Sequence, residues 1–134
     1  MRTPLGSSLL LAALVLQTAC SGASSSAADV TGSWSGTYAD TKSGVTGPLA
    51  ASFSEQNGSL SGTLTISSGW LCSVTSQGNV SGSVDGTQVQ ASAAFGIATA
   101  LSFTGSVTGN TMSGSYQITS GVCAGGSGSF SLSH

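Results

Sequence analysis

The chain has 134 residues, 20 of them glycine, and only 4% are charged, against about a quarter in ordinary globular proteins. With Arg2 set aside in a removable leader, Lys42 is the one base against the four acids Asp29, Asp40, Glu55 and Asp85, a formal balance of −3. A nucleic-acid partner is thereby excluded, since neutralising phosphates takes several Lys or Arg side chains. The length leaves room for one domain of roughly a hundred residues with a modest core.

The first twenty residues read as an export signal. Arg2 is its charged region, residues 9–16 its apolar core, too short to span a bilayer as a helix, and Gln17-Thr18-Ala19-Cys20 the processing point. Those four residues resemble the lipobox of bacterial lipoproteins, in which the cysteine becomes the lipid-modified first residue of the mature chain. Gln17 stands where an aliphatic residue is usual, with Leu16 one place earlier. The resemblance implies a signal peptide over residues 1–19, an acyl anchor on Cys20 that makes the membrane a partner, and a place in the bacterial cell envelope. Ser21 resembles the context that retains many such proteins at the outer membrane. The other reading is a secretory signal cut at Ser26-Ala27-Ala28, which would discard Cys20. Cysteine arithmetic supports lipidation: without Cys20 an even pair remains, Cys72 and Cys123, which an exported domain keeps oxidised. Residues 21–28 are Ser, Ala and Gly only, so residues 20–28 form a flexible tether reaching roughly 25 Å when extended, and the domain occupies residues 29–134.

From there the chain repeats one pentapeptide, apolar, Ser or Thr, Gly, Ser or Thr, apolar: Trp34-Ser35-Gly36-Thr37-Tyr38, Leu60-Ser61-Gly62-Thr63-Leu64, Val80-Ser81-Gly82-Ser83-Val84, Phe103-Thr104-Gly105-Ser106-Val107 and Met112-Ser113-Gly114-Ser115-Tyr116. Alternation of period two is the mark of a half-buried strand. It puts both apolar residues and the glycine on one face and the hydroxyls on the other. Eight strands are predicted, at 30–40, 48–56, 59–68, 76–84, 87–96, 99–108, 111–119 and 127–133, with no helical period of useful length. Their inward rows run Val30, Trp34 and Tyr38; Leu49, Ala51 and Phe53; Leu60, Leu64 and Ile66; Val80 and Val84; Val89, Ala91 and Phe95; Leu101, Phe103 and Val107; Met112, Tyr116 and Ile118; Phe130 and Leu132. Gly32, Gly36, Gly62, Gly78, Gly82, Gly105 and Gly114 stand among them. An inward glycine leaves a dent and lets a strand bend sharply, as the wall of a small closed barrel must.

Tight hairpin signals, Gln56-Asn57-Gly58, Asp85-Gly86 and Thr108-Gly109-Asn110, follow strands two, four and six. Longer connections follow strands one, three and seven, at 41–47, 68–75 and 120–127. In an up-and-down meander the two sets lie at opposite poles, and Cys72 and Cys123 share the long-loop pole. A bond between them closes about fifty residues and stabilises the fold by about 4 kcal/mol in the chain-entropy model. Ser/Thr strands with almost no Lys, Glu or Pro as edge guards would pair between molecules if the sheet were open, and closure removes the edge. The competing reading makes edge pairing the purpose, as in a fibre-forming surface protein.

Gly32-Ser33-Trp34 on the first strand resembles the G-x-W start of lipocalins, and avidins begin similarly; both are calycin-like barrels of antiparallel strands. The resemblance implies an all-β, eight-stranded antiparallel up-and-down barrel over nearly the whole mature domain. The arginine that lipocalins pack over this tryptophan has no counterpart, the only one being Arg2, and the C-terminal helix of that family is missing.

Catalytic and metal-binding side chains are scarce. The single histidine, His134, reads as a frayed tail rather than a base, and with two cysteines in a disulfide no usual zinc set can be assembled. Asp40, Glu55 and Asp85 offer a carboxylate pair for glycoside hydrolysis in principle, but their strand positions put Asp40 at one pole and the other two at the opposite one. No enzyme activity, metal or cofactor is therefore expected. Binding is the stronger expectation. Trp70 and Leu71, in the loop carrying Cys72, stand where a barrel mouth would be, with Tyr38, Asp40 and Lys42 near the same rim. Trp70 there is either a ligand or partner contact, or a plug for the barrel end. The leading expectation is an envelope lipoprotein binding a small apolar ligand at the long-loop end through Trp70, Leu71 and Tyr38. The alternative is a filled barrel acting as a protein-interaction module, an inhibitor such as small lipocalin-like barrels include, or a structural surface lipoprotein.

Overall fold

Strict alternation of apolar and hydroxyl residues leaves each segment one way to bury its apolar row, as a strand of a sheet with one wet face. The computed structural model describes residues 27–66, 72 and 76–134; Cys20, Trp70 and Leu71 lie outside them. Its elements are β1 (Gly32–Asp40), β2 (Thr46–Gln56), β3 (Ser59–Ile66), β4 (Gln77–Asp85), β5 (Gln88–Phe95), β6 (Thr99–Thr108), β7 (Thr111–Ser120) and β8 (Ser127–Ser133). Each pairs antiparallel with the next, and β8 returns to β1 through Tyr38↔Phe130 and Gly36↔Leu132, closing the barrel. All eight predicted strands are present with ends agreeing to within two residues.

The inward rows form one core, from Val30 and Trp34 through Leu132. Two positions differ from expectation. Ala91 is half-buried, and Ala93, two residues on along the same face of β5, is fully covered. Thr99 is the one buried polar residue among the described residues, an extension of the β6 inward row by one step.

The inward glycines divide into two kinds. At Gly36, Gly62, Gly82 and Gly114 an added Cβ would strike a carbonyl oxygen of the neighbouring strand, that of Ser131, Ser52, Gln90 and Thr104 respectively. These positions allow close passage of two bent strands and do not hollow out the interior. Room for aromatic rings comes from others: a Cβ on Gly78 would lie 2.9 Å from the Phe95 ring, and one on Gly47 2.7 Å from that of Tyr38.

The short-turn pole is plugged. Asn57 (φ 53°) and Gly58 (φ 82°) make the left-handed pair that an Asn-Gly hairpin needs. The incoming chain crosses the barrel end: the Ala28 N–H donates to Gly86 O at 2.7 Å, and Thr31 Oγ1 accepts from the Glu55 N–H at 3.0 Å. Between them Val30 is driven fully into the core, and the Trp34 indole N–H donates to its carbonyl at 2.9 Å. The last two residues of the expected tether, Ala27 and Ala28, thus belong to the folded body and pack on the core. His134 is likewise docked and not frayed. Its N–H donates to Asn110 O at 2.8 Å, and its ring meets that of Trp34 edge-on at 5.0 Å between centroids. The ring that covers the tryptophan is therefore a histidine, where the lipocalin resemblance leads one to look for an arginine.

Candidate functional site

The opposite pole carries the connections 41–45, 67–76 and 121–126, each longer than a tight turn, and the three-residue turn 96–98. Three of them are clasped together. Cys72 and Cys123 are bonded, S–S 2.06 Å with Cα atoms 5.3 Å apart across 51 positions, so the expected disulfide is present. The Thr99 hydroxyl donates to Cys72 O at 2.9 Å, tying the start of β6 to the same cystine. Gly121 (φ 98°) then passes so close to Thr99 that a side chain there would meet its Oγ1. A bulge between Ala100 and Leu101 re-aims the strand as it enters this clasp. The fourth connection is held by Asp40, whose Oδ1 accepts from Lys42 N–H, Ser43 N–H and the Ser43 hydroxyl at 2.7–3.1 Å. Those bonds, the ones from Ser43 foremost, hold the exposed carboxyl below the ordinary aspartate range.

Beneath this pole the barrel retains a cavity of about 30 Å³, walled by Leu64, Ile66, Leu101, Phe103, Phe130 and the rings of Tyr38 and Tyr116. The two tyrosines meet edge-on, 6.4 Å between centroids. Burial raises the pKa of both hydroxyls, that of Tyr116 to about 12, because a phenolate there would lose its water. The Tyr38 hydroxyl is buried without a hydrogen-bond partner, pressed against Gly47. Of the residues expected to contact a ligand, Tyr38 is thus an interior wall residue. Trp70 and Leu71 fall outside the described residues.

The acids are divided as expected. Asp40 sits at the loop pole, while Glu55, Asp85 and Asp29 sit at the plugged pole, where the Glu55 carboxylate accepts from the Gly58 N–H at 2.7 Å. Among the described residues no three His, Cys, Asp or Glu side chains gather as metal ligands would.

Sequence reading overlooked the loop tips. Val45, Ile97 and Val122 are the exposed large hydrophobics among the described residues, at 46%, 108% and 86% of full exposure, one on each of three long-loop-pole connections. Their signal lay in an aliphatic residue set inside a run of small ones, as in Gly96-Ile97-Ala98 and Gly121-Val122-Cys123. Comparison of the chain with protein-family models, with curated proteins and with solved structures found no match.

Proposed function

We propose that this chain is a cell-envelope lipoprotein, anchored through Cys20, whose side-chain-filled barrel is a rigid scaffold for contacts made by the long-loop pole. One observation carries the reading: exposure of large apolar side chains among the described residues is confined to that pole. The outer wall carries Ser, Thr, Asn and Gln, and the other pole is plugged and acidic. The interior favours a filled barrel over a carrier. A cavity of about 30 Å³ is about a tenth of the smallest ordinary ligand pocket, which starts near 300 Å³, and eight strands enclose a space that side chains alone can fill.

The carrier reading retains one support, the cavity's apolar wall with two tyrosine rings. Mass spectrometry of the protein extracted from membranes, intact and then denatured, tests both. The expected result is an acylated chain beginning at Cys20, two hydrogens lighter than its reduced form, with no small molecule released. A chain beginning after residue 26 overturns the anchor, and a stoichiometric apolar compound released on denaturation overturns the filled barrel.

A further inference from the structure

Three exposed aliphatic residues scattered over a surface would need no explanation. Val45, Ile97 and Val122 are not scattered: each tips a different connection at the same end of the barrel. The neighbours of the two most exposed are small, Gly96 and Ala98 beside Ile97, Gly121 beside Val122. Within its own connection each of these two tips is therefore flanked by small side chains. Fluid acyl chains conform to any spacing of such tips, whereas a folded partner has to match it.

Charge divides along the same axis. The loop pole holds Lys42 and Asp40, with the Asp40 carboxylate engaged by its own turn, so it is close to neutral and lacks a cationic patch. The plugged pole holds Asp29, Glu55 and Asp85, three carboxylates that an anionic leaflet repels. We propose that the long-loop pole rests on a lipid bilayer with Val45, Ile97 and Val122 sunk into its interfacial region. The inference rests on the contact pole assigned above and names its partner.

The chain enters at the far pole, bonded at Ala28 to Gly86. Strands of about nine residues tilted as in closed barrels make a wall roughly 25 Å high. Residues 20–27, extended, also reach roughly 25 Å. An acyl group on Cys20 and the loop tips are therefore within reach of the same bilayer, as two attachment points.

The test places a tryptophan at either pole of a Trp70→Phe chain, Ile97→Trp and, in a second protein, Asn110→Trp, each reconstituted in phosphatidylcholine vesicles containing brominated lipid. Quenching is expected to be several-fold stronger for Ile97→Trp. The opposite order, a barrel standing on its plugged pole, overturns the proposal, as does absence of quenching at both, the result for a pole that binds protein. In a separate measurement, wild-type chain and the Ile97→Asp/Val122→Asp variant, both carrying Cys20→Ser, are added to preformed vesicles. The expected outcome is about a tenfold loss of partitioning in the variant, with little effect of added phosphatidylglycerol or salt. Equal partitioning of the two overturns the proposal. Because these chains carry no acyl group, the result stands whether or not Cys20 is the native anchor.

Discussion

The two poles of this barrel solve one problem, covering the end of an apolar tube, by different means. At the short-turn pole the chain closes the tube with its own backbone: residues 28–31 cross the opening, Val30 fills it, and the donors around it find partners at Gly86, Val30 and Asn110. At the loop pole a cystine draws two of the connections together while Thr99 secures a third. A small core closed by a non-covalent plug at one end and a covalent clasp at the other keeps its longer connections at the clasped end. That is where exposed apolar side chains can be carried without loss of fold.

The comparison is broken most forcefully by removing the clasp. Replacing Cys72 and Cys123 with Ala is expected to lower stability by about 4 kcal/mol, the loop-closure value for 51 residues, measured by urea denaturation with oxidised wild type as reference. Hydrogen exchange in the same variant should speed up at Ile66 and Ile118, whose N–H groups bond within the loop pole, before it does at Val84 and Val107 of the plugged pole. Uniform acceleration would show that the poles are one cooperative unit.

Loosening the plug is the next largest perturbation. Val30→Ala leaves a hole in a site with no exposure and should cost about 2 kcal/mol. The loss should appear as faster exchange at Val84 and Val107, leaving the cystine region protected.

The barrel was readable because period two ran through every strand, and the short turns announced themselves as Asn57-Gly58 and Gly109-Asn110. The disulfide followed from two cysteines assigned to one pole. What escaped lay where pairing is not periodic. Val30 was placed on an inward row, but its role as a plug depends on Ala28 reaching Gly86, a contact across 58 positions that no local pattern encodes. The docking of His134 escaped because a lone histidine carries no period, while its ring is fixed by Trp34 from a strand a hundred residues earlier. The pentapeptide glycines were seen but their cause was not: spacing says that a Cβ is missing, and only register says that a neighbouring carbonyl lies there. The loop tips were passed over because a lone aliphatic residue among glycines carries no period at all.

Titration separates the two ends further. The buried tyrosines belong to the loop half, and burial raises both pKa values, that of Tyr116 to about 12. In the unfolded chain they ionise near 10, so above that pH the unfolded state gives up protons that the folded state keeps. The stability this reflects is complete below pH 10 and is lost as pH rises toward about 12. Thermal melts should be nearly flat between pH 5 and 9 and fall steeply above 10, and Tyr116→Phe should flatten the alkaline limb. An unchanged limb would place the sensitive group elsewhere.

The smallest effect, that of Tyr38→Phe, is sharpest when set beside its counterpart at the other pole. Each pole buries an aromatic side chain with a polar handle, Trp34 at the plug and Tyr38 at the clasp. The indole N–H is paired with Val30 O at 2.9 Å, whereas the Tyr38 hydroxyl has no partner. Removing a paired donor leaves its buried acceptor stranded, so Trp34→Phe should destabilise by about 2 kcal/mol or more, lost volume included. Removing an unpaired hydroxyl removes a group whose burial is uncompensated, so Tyr38→Phe should be neutral or stabilising by up to about 1 kcal/mol. Denaturation midpoints of the two variants, taken side by side, decide it. A clear loss in Tyr38→Phe would mean that the hydroxyl holds a bound water or guest in solution, and the filled loop half would have to be redrawn as an occupied one.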